Sequence, residues 1–147
     1  MKIAIGCDHG AFALKNKVIK HLEKQGHEVR DFGTYSTESC DYPDFAAAAA
    51  RAVASGECQR GIVLCTTGIG MSITANKIDG IRCALLSDPV SARLTREHND
   101  ANMMALGAGF VGELLALEIV DTFLDTPFSN GERHKRRIEK LMAVEQG

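Results

Sequence analysis

The 147-residue sequence lacks the features that place a protein in a membrane, on nucleic acid or in an oxidising compartment. No apolar run approaches the ~20 residues that a membrane-spanning helix needs. With a formal net charge of −2, neither nucleic acid nor an anionic membrane surface is an implied partner. The five cysteines form no C-x-x-C pair and are odd in number, which favours a reducing cytoplasm over a disulfide framework.

The composition is that of an ordinary globular domain, with 45% hydrophobic and 24% charged residues. A chain of this length buries roughly 70% of its unfolded surface and needs no disulfide or metal. The first residues, MKIAIGCDHG, enter a strand-like pattern at once, so we expect no secretory signal peptide. Because there is also no linker or repeat, we predict a single cytoplasmic domain over residues 1–147.

Strand-like and helix-like segments alternate along the chain. Apolar runs predict the strands 2–8, 27–33, 61–65, 81–87 and 102–107. Apolar residues at helical spacing, bounded by Asp, Pro or Gly, predict the helices 13–26, 41–56, 71–77, 89–98, 113–125 and 131–146. The alternation predicts an α/β fold whose five-stranded parallel sheet is covered by helices on both faces. Periodicity does not determine the strand order.

Ligands of such sheets bind beyond the carboxyl ends of the strands, so we expect functional residues there. Four stretches are rich in polar residues or glycine and are candidates for this position: 8–9, 65–72, 98–99 and 107–109. The helix 41–56 contains five consecutive alanines, 46–50, which are typical of a closely packed helix.

Several common site motifs are absent. The sequence GCDHGA after the first predicted strand does not match the G-x-G-x-x-G dinucleotide fingerprint, and Ile73 stands where Gly68 and Gly70 would need a third glycine. There is no Walker loop. A phosphatase with a cysteine nucleophile would need an arginine where Met71 stands. The five histidines show no metal-ligand spacing.

Cys65 ends the third predicted strand and begins the stretch CTTGIGMSITANK. A thiol near a helix N-terminus meets oriented N–H groups that favour the thiolate. The glycines that follow let the backbone approach a ligand and direct N–H groups at it. Together these features suit proton abstraction next to a carbonyl through an enediolate. The alternative is that Cys65 is a small core residue.

The other candidates also have structural alternatives. Asp8 and His9 either contact a ligand or form a polar turn that caps the next helix. His98, at a predicted helix end, either acts as an acid or caps the helix. Arg133 and Arg137 have i,i+4 spacing, which places two guanidinium groups on one helical face and suits a phosphate dianion. They could equally belong to a solvated basic face.

Seven segments occur in order over essentially the whole chain: GCDHGA, DFGTYSTESCDYPDFA, GIVLCTTGIGMSITANK, GIRCALLSD, REHNDAN, ALGAGFVG and GERHKRR. Together they resemble the type B ribose-5-phosphate isomerases, whose superfamily includes allose-6-phosphate and galactose-6-phosphate isomerases. The resemblance implies a Rossmann-like, three-layer α/β/α sandwich. It also implies a homodimer, often paired into a tetramer, with active sites at the dimer interface that use residues from both subunits.

The resemblance further implies roles for individual residues. Cys65 matches the general base that moves a proton between C2 and C1. His98 matches the residue that opens the sugar ring, with Asp8 and Thr67 in supporting roles. The residues that match substrate contacts are the loop Thr66, Thr67, Gly68, Ile69 and Gly70 for the enediolate oxygen, Tyr42 and Asn99 for hydroxyl groups, and His9, Arg133 and Arg137 for the phosphate. Neither a metal nor an organic cofactor is implied.

Two positions depart from the family's usual pattern. Where the family reads Cys-Gly-Thr-Gly, this chain has Thr66 as the second residue, which narrows the loop or restricts its backbone. An arginine that usually helps to bind phosphate is replaced by Gly109. The loss of one charge-assisted contact weakens binding by about 1.5–3 kcal/mol unless another residue, such as Arg136, replaces it.

The expected function is therefore that of an aldose–ketose isomerase that interconverts ribose 5-phosphate and ribulose 5-phosphate. The departures at Thr66 and Gly109 leave a second hypothesis open, an isomerase of allose 6-phosphate, galactose 6-phosphate or a tetrose phosphate. A third hypothesis is a non-catalytic module that binds phosphorylated sugars.

Overall fold

The computed structural model describes residues 1–147, which form five strands and six α-helices. The strands are β1 (Lys2–Cys7), β2 (Glu28–Asp31), β3 (Arg60–Cys65), β4 (Cys83–Leu85) and β5 (Met103–Gly107). The helices are α1 (Phe12–Lys24), α2 (Tyr42–Ala54), α3 (Ile69–Ala75), α4 (Pro89–Asn99), α5 (Glu113–Asp125) and α6 (Glu132–Ala143), with short 3-10 turns at His9–Ala11 and Val144–Gln146. No helix combines the length and the apolar character that a transmembrane segment requires.

The five strands form one parallel sheet in the order β2-β1-β3-β5-β4. From β1 the chain moves to β2 on one side, and it then crosses to β3 on the other side. This reversal leaves a crevice beyond the carboxyl ends of β1 and β3, where parallel sheets bind their ligands. The last residue of β3, Cys65, lies opposite Gly107 of β5 and beside the crevice.

Helices cover both faces of the sheet, which confirms the predicted three-layer α/β/α sandwich. Strand side chains alternate between the two faces. Ile62 and Leu64 point into a core that is completed by α1, α4 and α5. Ala4 and Val63 point to the opposite face, where α2 and α3 pack.

The alanine-rich segment packs α2 closely against the sheet, as predicted. Ala46, Ala49 and Ala50 have no exposed surface. On the strand side, a Cβ atom at Gly6 would lie 2.9 Å from the carbonyl oxygen of Phe45. Only small residues allow this approach, and it brings the first residue of α2, Tyr42, close to the carboxyl ends of the strands.

Three predicted boundaries differ from the structure, and at two of them a side chain accepts a backbone N–H group. The predicted strand 81–87 is reduced to β4 because the backbone N–H groups of Arg82 and Cys83 donate to the side chains of Asn102 and Asn76, both at 2.8 Å. The predicted strand 27–33 ends at Asp31, whose carboxylate accepts the N–H of the turn at Gly33. The third helix begins two residues before its predicted start.

A buried ion pair joins α1 to the segment after β2. The Lys15 side chain has no exposed surface. Its ammonium group donates to both carboxylate oxygens of Asp31, at 2.8 and 2.9 Å, and to the carbonyl oxygen of Thr34 at 2.5 Å. The rings of Phe12 and Tyr35 lie 5.4 and 5.2 Å from the same ammonium group. These contacts compensate for the loss of water around the charge.

We expect Asp31→Asn to lower the free energy of unfolding by about 3–5 kcal/mol, because it leaves the buried ammonium group of Lys15 without its counter-charge. Lys15→Met should cost less, since the carboxylate that remains is partly exposed. The double variant should be more stable than the sum of the two losses implies. Urea unfolding at a fixed protein concentration measures all three values. Additivity within about 0.5 kcal/mol would show that the two side chains are not coupled.

Candidate active site

An open cleft of ≈ 410 Å³ lies beyond the carboxyl ends of β1 and β3. It contains residues from three separate parts of the chain: the end of β1, the start of α2, and the loop from β3 into α3. Seven residues that the sequence singled out meet here, together with Ile73: Asp8, Tyr42, Cys65, Thr66, Thr67, Ile69 and Gly70.

Cys65 is nearly buried, with 6% exposure, and it lines the cleft. The backbone N–H of Gly68 donates to its sulfur at 3.1 Å, and the Thr67 hydroxyl lies 3.9 Å from the sulfur. A donor N–H aimed at the sulfur stabilises negative charge on it. The thiol is therefore both a core residue and a group that faces the cleft.

Burial raises the pKa of three other cysteines, Cys7, Cys58 and Cys83. Burial is the main cause that raises the pKa of Cys7 to about 11, although the ammonium group of Lys15 acts in the opposite direction. Burial also raises the pKa of Cys83 to about 12. Both side chains therefore stay protonated at neutral pH and are structural residues, even though Cys7 directly precedes Asp8 of the cleft.

The loop after Cys65 depends on Gly68. This residue has φ +76°, in the left-handed region, and a Cβ atom there would lie 2.7 Å from the backbone of Leu106. By contrast, Thr66 does not have positive φ, since only Asp100 and Asn130 do among the non-glycine residues. The expected restriction of the backbone by a side chain at position 66 is therefore absent, and only the narrowing of the cleft remains.

The sequence left open whether Asp8 and His9 contact a ligand or form a polar turn, and the structure supports both roles. Asp8 Oδ1 accepts the N–H of Gly10 at 2.9 Å, so the carboxylate does cap the 3-10 turn, but it also lines the cleft. His9 Nδ1 accepts the N–H of Cys40 at 3.2 Å. Since a backbone N–H can only donate, the proton of the neutral ring lies on Nε2, which is free to donate to an anion.

His98 and Asn99 lie at the opposite edge of the sheet. The 11 residues of α4 begin after β4, near the carboxyl ends, and run about 16 Å back to the amino end of β5. The expectation that these two residues lie beside the carboxyl ends is therefore wrong for a single chain. Within one subunit the structure does not bring them to Cys65.

Two arginines hold the end of α4 in place. The Arg82 side chain donates to the carbonyl oxygens of Asn99 and Asp100, at 2.9 and 2.8 Å. Arg96 donates to the Asp100 carboxylate at 2.9 Å and to the carbonyl oxygen of Ala101 at 2.6 Å. Asp100, with φ +44°, forms the C-terminal cap, so the alternative that His98 caps this helix is excluded. The imidazole of His98 is left free for another role.

His134 is a residue that the sequence analysis missed. Its ring stacks on that of His98, with centroids 4.5 Å apart and planes inclined by 12°. Burial, and then the positive charges of Arg133, His98 and Arg137, lower its pKa. The sequence signal that could have identified His134 is its i,i+4 spacing from Ile138, which places both residues on the inward face of α6.

Arg133 and Arg137 are on α6, as their spacing predicted, and both are exposed. Neither forms an ion pair with a carboxylate of the chain, whereas the neighbouring Lys135 lies 3.6 Å from Glu132. Two unpaired guanidinium groups beside the His98–His134 stack have the charge and hydrogen-bond donors that suit an anion. No group of three or more His, Cys, Asp or Glu side chains could hold a metal ion.

Comparison with known proteins gives consistent matches over nearly the whole chain. The family model described as Ribose/Galactose Isomerase matches residues 3–141. Ribose-5-phosphate isomerase B of Escherichia coli (strain K12) is 50% identical, with 99% of this chain and 97% of that protein covered. Galactose-6-phosphate isomerase subunit LacB of Clostridium acetobutylicum is 40% identical, with 100% of this chain and 87% of that protein covered.

Solved structures agree with these matches. The ribose-5-phosphate isomerase B of Clostridium thermocellum superimposes with a TM-score of 0.97 at 54% identity, covering 99% of this chain and 98% of the other. The Mycoplasma genitalium ribose-5-phosphate isomerase B with bound ribulose-5-phosphate gives a TM-score of 0.95 at 37% identity, covering 99% and 96%.

We expect Gly68→Ala to lower the free energy of unfolding by about 3 kcal/mol or more, because it combines a left-handed backbone with an overlap against β5. Gly56→Ala is the matched control. Gly56 has a similar φ, +84°, but a Cβ atom there has nothing within 4 Å. It should cost only the backbone strain of about 1–2 kcal/mol. Equal losses in urea unfolding would contradict the proposed overlap.

The lowered pKa of His134 also predicts a pH dependence of stability. A histidine with a lower pKa in the folded state binds fewer protons there than in the unfolded state. The free energy of unfolding should therefore fall as pH decreases through its ordinary value of about 6.5. His134→Gln should reduce this decrease. Unfolding of both proteins at a series of pH values measures the effect, and identical slopes would contradict it.

Proposed function

The chain belongs to the ribose/galactose isomerase family, and we propose that, as a cofactor-independent aldose–ketose isomerase of a sugar phosphate, it interconverts ribose 5-phosphate and ribulose 5-phosphate. The observation that carries the proposal is that the Cys65 sulfur accepts a hydrogen bond from the Gly68 N–H in a cleft. This cleft lies beyond the carboxyl ends of β1 and β3, where the strand order reverses. The whole of 1–147 acts as one domain in this proposal, since all five strands share one sheet.

Cys65 acts as the general base in the proposed reaction. Its thiolate takes the proton from C2 of the open-chain aldose, and the electron pair of that bond forms the C1–C2 double bond, which leaves negative charge on O1. The proton then passes from Cys65 to C1, and the proton of the C2 hydroxyl passes to O1, so that C2 becomes the ketone carbon and O1 becomes the hydroxyl of the ketose. All five cysteines are free thiols, as this role and a reducing cytoplasm require.

The loop after Cys65 stabilises the enediolate. The Gly68 N–H donates to the Cys65 sulfur and so favours the thiolate, and the Thr67 hydroxyl, which accepts the N–H of Ile69 at 3.1 Å, keeps its own proton available for donation to the substrate oxygen. Donors fixed before the reaction need no reorganisation when charge develops on the substrate oxygen. Asp8, with 8% exposure, lies at the same edge as a support.

The remaining groups come from a second subunit in this proposal. His98 and Asn99 are on the far side of the sheet from Cys65, so ring opening by His98 at the same substrate requires a partner chain. Exposed apolar side chains near the cleft favour such an interface: Ile69 is 47% exposed, Ile73 57% and Phe110 70%. In a homodimer, or in a tetramer built from two homodimers, each subunit would contribute to both sites.

The same arrangement provides a phosphate site. His9 supplies a free Nε2–H beside the cleft, and Arg133 and Arg137 of the partner subunit supply unpaired guanidinium groups. The phosphate and the reacting carbons are then held at opposite ends of the cleft, with Tyr42 and Asn99 available for the hydroxyl groups between them.

We expect Cys65→Ala to reduce kcat by about 10²–10⁴-fold while substrate binding is retained, because only the proton transfer is lost. Cys58→Ala is the control, since Cys58 is a buried thiol outside the cleft. The test is kcat with ribose 5-phosphate, together with incorporation of solvent deuterium at C1 or C2. Near-wild-type kcat in Cys65→Ala would exclude it as the base. A wild-type protein that binds the sugar without any exchange would be a non-catalytic module.

A mixing experiment tests the two-subunit site. Cys65→Ala and His98→Asn should each be inactive alone. If each site takes Cys65 from one chain and His98 from the other, every mixed dimer contains one intact site. Co-refolding equal amounts should then restore about a quarter of the wild-type activity. No recovery, with mixed dimers demonstrated by differential tags, would place both residues in the same subunit's site.

A further inference from the structure

Thr66 lies between two glycines, Gly10 after β1 and Gly109 after β5, the strands on either side of β3. Its Oγ1 occupies the space beside Gly10, so that a Cβ atom at position 10 would overlap the hydroxyl. On its other side, a Cβ atom at Gly109 would lie 3.0 Å from the carbonyl oxygen of Thr66 and 3.1 Å from its Cγ2. The Gly109 N–H donates to that carbonyl oxygen at 2.8 Å, which keeps the two backbones together.

The side chain of Thr66 is exposed and lines the cleft. Its hydroxyl has no hydrogen-bond partner in the chain, in contrast to that of Thr67, which accepts the N–H of Ile69. A polar group that is held in position without a protein partner is available to a ligand.

Thr66 lies between the proposed base and the proposed phosphate ligand, so its side chain limits the length of sugar that fits between them. Cys65, the base of the proposed function, directly precedes it, and Gly10, which touches its hydroxyl, directly follows the proposed phosphate ligand His9. A sugar phosphate that spans these two anchors must pass over Thr66. A six-carbon substrate has one more CHOH group to fit between the same anchors than a five-carbon substrate has.

We propose that Thr66 is a specificity-determining residue that selects five-carbon over six-carbon sugar phosphates, a proposal that rests on the proposed function. Its methyl group and hydroxyl fill space that a glycine would leave to a longer substrate. Its hydroxyl also donates to, or accepts from, a hydroxyl of the shorter one. Differences of one small group in a pocket typically change kcat/KM by about 10–200-fold.

Thr66 and Gly109 form one unit in this proposal. A side chain at 109 would start closer to Thr66 than ordinary van der Waals contact allows. The contact with the carbonyl oxygen would persist with any residue at 66, whereas the contact with Cγ2 exists only because of the threonine side chain. Threonine at 66 therefore adds to the crowding that disfavours a side chain at 109.

The test compares kcat/KM for ribose 5-phosphate and allose 6-phosphate. Wild type should favour ribose 5-phosphate, and Thr66→Gly should raise the ratio of allose to ribose use by about 10-fold or more. Thr66→Val, which keeps the shape but loses the hydroxyl, should keep the wild-type ratio while its kcat/KM for ribose 5-phosphate falls. If Thr66→Gly does not fold, Thr66→Ser, which removes only the methyl group, should change the ratio in the same direction by a smaller factor.

The outcomes separate this proposal from the proposed function. A folded Thr66→Gly or Thr66→Ser with an unchanged ratio overturns the role of Thr66 and leaves the isomerase assignment intact. Equal kcat/KM values of the wild type for ribose 5-phosphate and allose 6-phosphate would also overturn the role of Thr66 and leave the isomerase assignment intact. If wild type isomerises neither substrate, the proposed function itself fails.

A double-mutant cycle tests the steric unit. Gly109→Ala should lower kcat/KM for ribose 5-phosphate in the wild-type background and by a smaller factor in the Thr66→Gly background, where the contact with Cγ2 is lost and the contact with the carbonyl oxygen remains. Gly112→Ala is the control, because it has φ −77° and a Cβ atom there has nothing within 4 Å. Additive effects of Gly109→Ala and Thr66→Gly would contradict the coupling.

Discussion

The ammonium group of Lys15 requires a fixed set of partners, because no water can reach it. Asp31 at the end of β2 and the carbonyl oxygen of Thr34 provide them. The segment after β2 is thereby tied to α1 before it crosses the carboxyl edge of the sheet. Further along the same segment, Cys40 donates to His9, and α2 begins at Tyr42. One buried charge thus anchors the segment that leads to Tyr42, a residue that lines the cleft.

The candidate machinery is divided between two edges of the sheet. At the carboxyl edge, Cys65 and its loop are positioned by the backbone, through the left-handed Gly68 and the packing against β5. At the amino edge, His98 is positioned by side chains, through the stack on His134 and the contacts of Arg82 and Arg96 with the end of α4. Neither half is sufficient for the proposed reaction, so a complete site would require a second copy of the chain.

In the proposed function, the chemistry and the choice of substrate depend on different residues. Cys65, Gly68 and Thr67 would determine whether a proton can be moved and whether the charge is stabilised. Thr66 would change the space beside them and offer the substrate one hydroxyl, while its backbone, which does not have positive φ, leaves the loop undisturbed. A change at Thr66 together with Gly109 can therefore alter the accepted sugar phosphate while the base and its N–H donor stay in place.

The sequence alone determined the α/β class, the element order and the loop after Cys65, because apolar periodicity, helix boundaries and glycine positions are local properties. The packed α2, the spacing of Arg133 and Arg137, and the gathering of Asp8 and Cys65 at one edge were predictable for the same reason. The tertiary structure alone decided the strand order, the placement of His98 away from Cys65, and the stack with His134. It also decided that Thr66 lies between two glycines. These features depend on contacts between residues far apart in the chain, which local patterns do not encode.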